Sequence, residues 1–159
     1  MHSRVAELVR ILEMRPHPEG GHYAEVFRSP HRVQVLERKV ERAALTAIYF
    51  LLAEGEFSRW HRVESDEVWH YHEGDAIELW LFDDRGPRHL HLGPVDRETR
   101  PSIVVRAGTW QAARTTGAYT LVACTVGPGF DFADFWLVAD VPELAARIAT
   151  AAPDLARFI

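Results

Sequence analysis

A chain of 159 residues with 47% hydrophobic side chains has apolar material for one globular domain with a substantial core. Its formal charge of −5 argues against nucleic acid, whose phosphates need a basic face. The lone cysteine, Cys124, excludes an intrachain disulfide and points to a reducing compartment. The charged start MHSRVAELVR breaks the apolar stretch a signal peptide needs, and no run nears the ~20 residues of a membrane span. The expectation is a soluble, cytoplasmic protein with no membrane or nucleic-acid partner.

In chain order, Ser3 to Met14 is predicted as a helix, because Val5, Leu8, Val9 and Leu12 fall at i, i+3, i+4 and i+7, with Ser3 as its cap. Pro16, Pro18, Gly20 and Gly21 stop it, and the glycine pair suits a turn that needs positive φ. From His22 to about Val138 the runs YAEVF, TAIYFLL, DEVWHYH, AIELWLF, RHLHL, SIVVRA, YTLVACTV and FADFWLV read as short strands. Glycines and prolines punctuate them, notably at Gly55, Gly74, Gly108 and Gly127-Pro128-Gly129. That pattern predicts an all-β barrel or sandwich over residues 22–138. The tail returns to helix at about 141–151, with Asp140 and Glu143 as a capping box and Leu144, Ile148 and Ala151 on one side. No repeat or linker divides the chain, so residues 1–159 read as one domain.

The stretch Gly55-x5-His61-x-Val63-x3-Glu67-x6-Gly74 resembles the first signature of the cupin superfamily, Gly-x5-His-x-His-x3-Glu-x6-Gly, except that Val63 replaces the second histidine. The second signature, Gly-x5-Pro-x-Gly-x2-His-x3-Asn, aligns best on Arg106, Gly108, Gln111 and Thr115, and keeps only its glycine. Further segments look like the fifth cupin domain family: Pro16 to Ser29, Thr46 to Leu52, Ser65 to His70 and Gly127 to Phe132. This narrower match runs from about Leu8 to Val138, with Trp136 standing where an acidic residue is expected. The resemblance implies a double-stranded β-helix jelly roll with a short helix at each terminus, commonly paired as a homodimer. The first strands after Gly21 are the expected interface. The fold relatives it implies include sugar-nucleotide epimerases, which work without metal, and storage-protein barrels.

Side chains alternate across a strand, so Glu67, Trp69 and Tyr71 share one face while Val68, His70 and His72 share the other. If Glu67 points into the barrel, Trp69 and Tyr71 line it, His61 and Val63 face them from the preceding strand, and Arg59 stands at the rim. Aromatics beside a His/carboxylate pair suit a flat or sugar-like ligand, although barrel filler is their blander reading. Glu25, on the expected face of Tyr23 and Phe27, is either a functional carboxylate or an exposed edge residue.

Three functions follow. In the first, His61 is a general base beside a substrate carbonyl, Glu67 orients its imidazole and Tyr71 returns the proton, which gives a metal-independent epimerase or isomerase. The ligand-binding residues are then Glu25, Arg59, Trp69 and Gln111. In the second, His61, Glu67 and Gln111 hold a divalent metal (Fe, Mn or Zn) for oxygenase or hydrolase chemistry. An amide oxygen is a poor substitute for imidazole, so no tightly held metal is expected. In the third, the barrel only binds a small metabolite. His70/His72 and His89/His91 each share a strand face but read as solvated pairs, since no carboxylate accompanies them at suitable spacing. Cys124, between Val122 and Val126 on one face, reads as core.

Overall fold

The structure, a computed structural model, describes residues 3–159. Helix α1 (Ser3–Ile11) leads into fourteen strands among the described residues. These are β1 (Arg15–Pro16), β2 (His22–Arg28), β3 (Arg32–Val35), β4 (Val40–Ala43), β5 (Thr46–Ala53), β6 (Phe57–Val63) and β7 (Asp66–Gly74). Then come β8 (Ile77–Asp83), β9 (Gly86–Leu92), β10 (Thr99–Arg100), β11 (Ser102–Val105), β12 (Trp110–Thr115), β13 (Tyr119–Gly127) and β14 (Phe135–Leu137). Helix α2 (Pro142–Ala151) and a 3-10 segment (Pro153–Phe158) end the chain. No described helix is long and apolar enough to cross a membrane.

Two six-stranded sheets form the jelly roll, in the orders β1-β2-β5-β13-β7-β11 and β10-β9-β8-β12-β6-β14, while β3 and β4 make a separate hairpin. Phe50, Leu52, Trp69, Val122 and Cys124 of the first sheet meet Ile77, Leu79, Leu81 and Leu92 of the second in the main core. Cys124 is 2% exposed within that core. The run TAIYFLL is nearly continuously apolar because β5 is buried on both faces: Leu51, turned away from the barrel, packs under α1 against Val5 and Leu8. The second sheet is covered likewise. Trp60, Trp80, Phe82 and Trp110 on its outer face bury Leu144 and Ile148 of α2 and Phe158 of the tail. Each terminal helix thus shields one outer face.

Several local expectations are corrected. Helix α1 stops at Ile11 rather than Met14, where Glu13 takes a positive φ of 52°, and Ser3 lies within the helix rather than capping it from outside. The Asp140–Glu143 capping box does not form; Asp140 closes a 3-10 turn, and α2 begins at Pro142 after Val141 without a side-chain cap. The run FADFWLV is only half strand, because Asp131 accepts a hydrogen bond from Ala133 N and winds Phe132–Asp134 into a 3-10 turn. The hairpin β3–β4 was not anticipated, since its alternating polar residues leave no apolar run to read.

Candidate functional site

The candidate site begins with an irregularity in β6. Gln111 pairs with His61, yet two residues along β12 Ala113 pairs with Ser58, three residues back on β6, so β6 carries one extra residue. Such a bulge breaks the period-two alternation. Ser58 therefore turns inward with His61 and Val63, while Trp60 joins the outer cluster. Arg59, expected at the rim, does not line the cavity. Its guanidinium donates to the Pro18 carbonyl, and its own carbonyl accepts from His61 Nδ1 at 2.8 Å. Because a carbonyl only accepts, the neutral imidazole carries its hydrogen on Nδ1 and its lone pair on Nε2.

The loop before β2 supplies two groups that sequence reasoning missed. Glu19 N donates to His17 Nδ1 at 3.2 Å, Arg59 N donates to Glu19 O at 2.8 Å, and Gly20 N to His17 O at 3.0 Å. Gly20 has a φ of +115°, and a Cβ there would fall 2.2 Å from the Phe57 carbonyl oxygen. Glycine thus gives the loop both its turn and its seat against β6. Docked there, Glu19 (6% exposed) accepts from Ser58 Oγ at 2.8 Å on Oε1 and places Oε2 3.3 Å from His61 Nε2. His17 Nδ1 is 3.4 Å from the same oxygen. The glycine pair was the available signal, and it read as a turn alone.

These groups open on a cavity of about 340 Å³. His17, Glu19, His61 and Glu67 form its polar interior, Trp69 and Phe50 its aromatic wall, and Arg15, Glu25, Arg28 and Phe132 its rim. Phe135 stacks on the His61 ring at 5.6 Å. Glu25 reaches the rim beside Arg28, bonded at 2.7 Å, because a bulge between Glu25 and Phe27 turns Phe27 outward, against the expected shared face. Burial dominates the electrostatics. It raises the pKa of Glu19, opposed by the nearby His17 charge and the Ser58 hydrogen bond, and that of Glu67, opposed by His61. It lowers His61, opposed by Glu67, and His17, opposed by Glu19. Burial thus brings the proton affinities of the carboxyls and imidazoles closer together, which favours proton exchange among them.

Of the remaining expected residues, Glu67 and Trp69 reach the cavity with His61, and Val68, His70 and His72 lie on the opposite face of β7. Gln111 (1% exposed) stands behind the lining. Its Nε2 donates to Glu67 Oε2 at 2.6 Å, and its Oε1 accepts from Trp69 Nε1 at 3.1 Å. Tyr71 is not brought to the cavity. It packs on the main core, and its hydroxyl donates to the Gly74 carbonyl at 2.6 Å. Trp136 lies on the outside of β14, with the Arg62 guanidinium 5.9 Å from its ring.

The metal set implied by the cupin signatures does not fit these residues. Val63 has no ligand atom, and the Gln111 oxygen is committed to Trp69. Among the described residues, the one group of three or more His, Cys, Asp or Glu side chains whose donor atoms converge within 4.8 Å is Glu78, His89 and His91, outside the cavity. A carboxylate does accompany the His89/His91 pair after all, supplied by the neighbouring strand.

The family described as Cupin superfamily (DUF985), Cupin_5, matches residues 6–138 of this chain. A hypothetical protein from Leishmania major is 32% identical, superposes with a TM-score of 0.83 and covers 95% of this chain and 97% of its own. A protein from Shewanella oneidensis is 29% identical, with a TM-score of 0.79 and coverage of 95% and 91%. Oxalate decarboxylase from Bacillus subtilis shares 15% identity at a TM-score of 0.60 over 85% of this chain and 33% of its own, a likeness of fold alone. No curated protein matches the sequence.

Proposed function

This chain belongs to the Cupin_5 family of the cupin superfamily, and from that premise we propose a cytoplasmic small-molecule-binding cupin with epimerase- or isomerase-type activity on a carbohydrate-like or carbonyl metabolite. The observation that carries the reading is the buried His61–Glu19 contact, with Nε2 3.3 Å from Oε2 and the tautomer set by the Arg59 carbonyl. His61 Nε2 takes the proton from a carbon next to the substrate carbonyl, and the C–H electron pair moves into the enolate. Glu67, on the other sheet and held toward its protonated form by burial, returns a proton to the opposite face of that carbon. The configuration inverts, and proton transfer from the His61 imidazolium to the Glu67 carboxylate restores the site. Glu19 stabilises the imidazolium between these steps, and Glu67 takes the proton-returning role first given to Tyr71. An aromatic wall of Trp69 and Phe50 supplies the apolar surface that orients a sugar ring or flat carbonyl compound.

The test is deuterium incorporation from heavy water into a panel of keto sugars and sugar phosphates, followed by NMR. Exchange next to the carbonyl with the native protein and not with His61→Ala supports the proposal. A compound that binds at His61 without exchanging marks a non-catalytic binding barrel instead. We also propose a homodimer through the free part of β2. Strand β1 pairs only with His22 and Tyr23, and beyond them Val26 and Phe27 remain 49% and 48% exposed. Sedimentation as an 18.1 kDa monomer at micromolar concentration would contradict it.

A further inference from the structure

We propose that Glu78, His89 and His91 form a second site, a binding site for a zinc-class divalent transition-metal ion on the outer face of the β8–β9 hairpin. The hairpin register sets Glu78 opposite His91 and Trp80 opposite His89, so one carboxylate and two imidazoles emerge side by side. Glu78 Oε1 is 3.4 Å from His89 Nε2 and 4.0 Å from His91 Nε2, and all three donor atoms lie within 4.8 Å of one another. Ligands about 2.1 Å from a tetrahedral ion stand about 3.4 Å apart, so a small rotation of His91 completes the set. Both separations exceed the ~2.7–2.9 Å of a charge-assisted hydrogen bond. The donors are thus far enough apart for an ion to sit among them.

The surroundings hold these donors in place. Arg114 Nε donates to Glu78 Oε2 at 2.5 Å, which orients the carboxylate and leaves Oε1 toward the histidines. The His89 ring lies flat on Trp80, at 4.9 Å and an interplanar angle of 6°. Fixing ligands through such outer contacts is how proteins tune metal sites. Two imidazoles and a carboxylate suit zinc-class ions better than magnesium or calcium, which prefer oxygen. The histidine side chains remain 41% and 35% exposed, so coordination positions stay open to water.

The experiment uses the full chain made without a histidine tag, stripped with EDTA, and titrated with zinc chloride by calorimetry. One equivalent per chain is expected, with affinity falling at least about tenfold in His89→Ala, His91→Ala and Glu78→Gln. Cobalt(II) should give visible absorption bands that these variants alter. His61→Ala should bind zinc as the native protein does, which keeps this site separate from the fate of the cavity chemistry. The two histidines are partly exposed, so their replacement should leave the fold intact, and circular dichroism verifies each variant. Absence of saturable zinc binding, or binding unchanged in both His→Ala variants, overturns the proposal.

Discussion

Replacing Gln111 by leucine tests whether its amide holds the two sheets' polar groups together behind the cavity. Leucine fills nearly the same volume but removes the donor to Glu67 Oε2 (2.6 Å) and the acceptor for Trp69 Nε1 (3.1 Å). Trp69 is 1% exposed and Glu67 7%, so water cannot readily substitute. A buried neutral donor left without its partner costs about 1–3 kcal/mol, and a charged group costs more. The expected loss for Gln111→Leu is therefore about 2–5 kcal/mol where Glu67 is ionised. At about 2–4 °C per kcal/mol for a chain of this size, the melting temperature should fall by roughly 4–20 °C. The loss also depends on pH. Burial already places the folded-state pKa of Glu67 above its unfolded value, so its contribution is present at low pH and is lost as pH rises through the folded pKa. Removing the Gln111 hydrogen bond raises that pKa further and deepens the loss on the alkaline side. Below the folded pKa of Glu67 only the Trp69 share, about 1–3 kcal/mol, should remain. Thermal melts across a pH series measure both quantities. A variant as stable as the native protein, or a deficit that does not grow with pH, would refute the reasoning.

Further expectations follow from the same geometry. The deuterium-exchange rate should be bell-shaped in pH, with an acid limb below pH 6.5 because burial depresses His61, and a basic limb above pH 4.5 because burial raises Glu67. An acid limb at or above pH 6.5 would show that His61 is not the base. Gly20→Ala should cost at least about 2 kcal/mol in chemical denaturation, since it combines an unfavourable positive φ with contact against the Phe57 carbonyl. It should also weaken ligand binding by displacing Glu19, and a fully stable Gly20→Ala protein would contradict that docking. Glu73 accepts hydrogen bonds from Arg4 at 2.7 and 2.8 Å and from Tyr119, which hold its pKa down to about 2. Its stabilisation is present above the ordinary carboxylate pKa and is lost as pH falls toward 2. The melting temperature of Glu73→Gln should therefore lie below the native value at pH 7 and converge with it near pH 2; a constant gap would argue against this titration.

The sequence by itself determined the architecture and the general place of the cavity. Short apolar runs broken by glycine and proline dictate strands, and the spacing from Gly55 through His61 and Glu67 to Gly74 carries the family. Period-two alternation was enough to put Glu67 and Trp69 on the inner face of β7, a regular strand along that stretch. It failed at the bulges. One extra residue in β6 exchanges Arg59 for Ser58 at the interior, and another in β2 separates Glu25 from Phe27. A bulge is decided by pairing with a partner strand, which no local pattern records. Gln111 and Tyr71 show a related limit: both have inward positions, yet depth along the barrel decides that one braces Glu67 and the other caps the Gly74 carbonyl. Tertiary structure alone brought Glu19 to His61, 42 residues away, by seating a glycine turn against the β6 backbone. It likewise set Glu78 beside His89 and His91 through hairpin register. Sites of this kind are assembled from groups distant in sequence, and only the packing of one strand or loop against another fixes which of them meet.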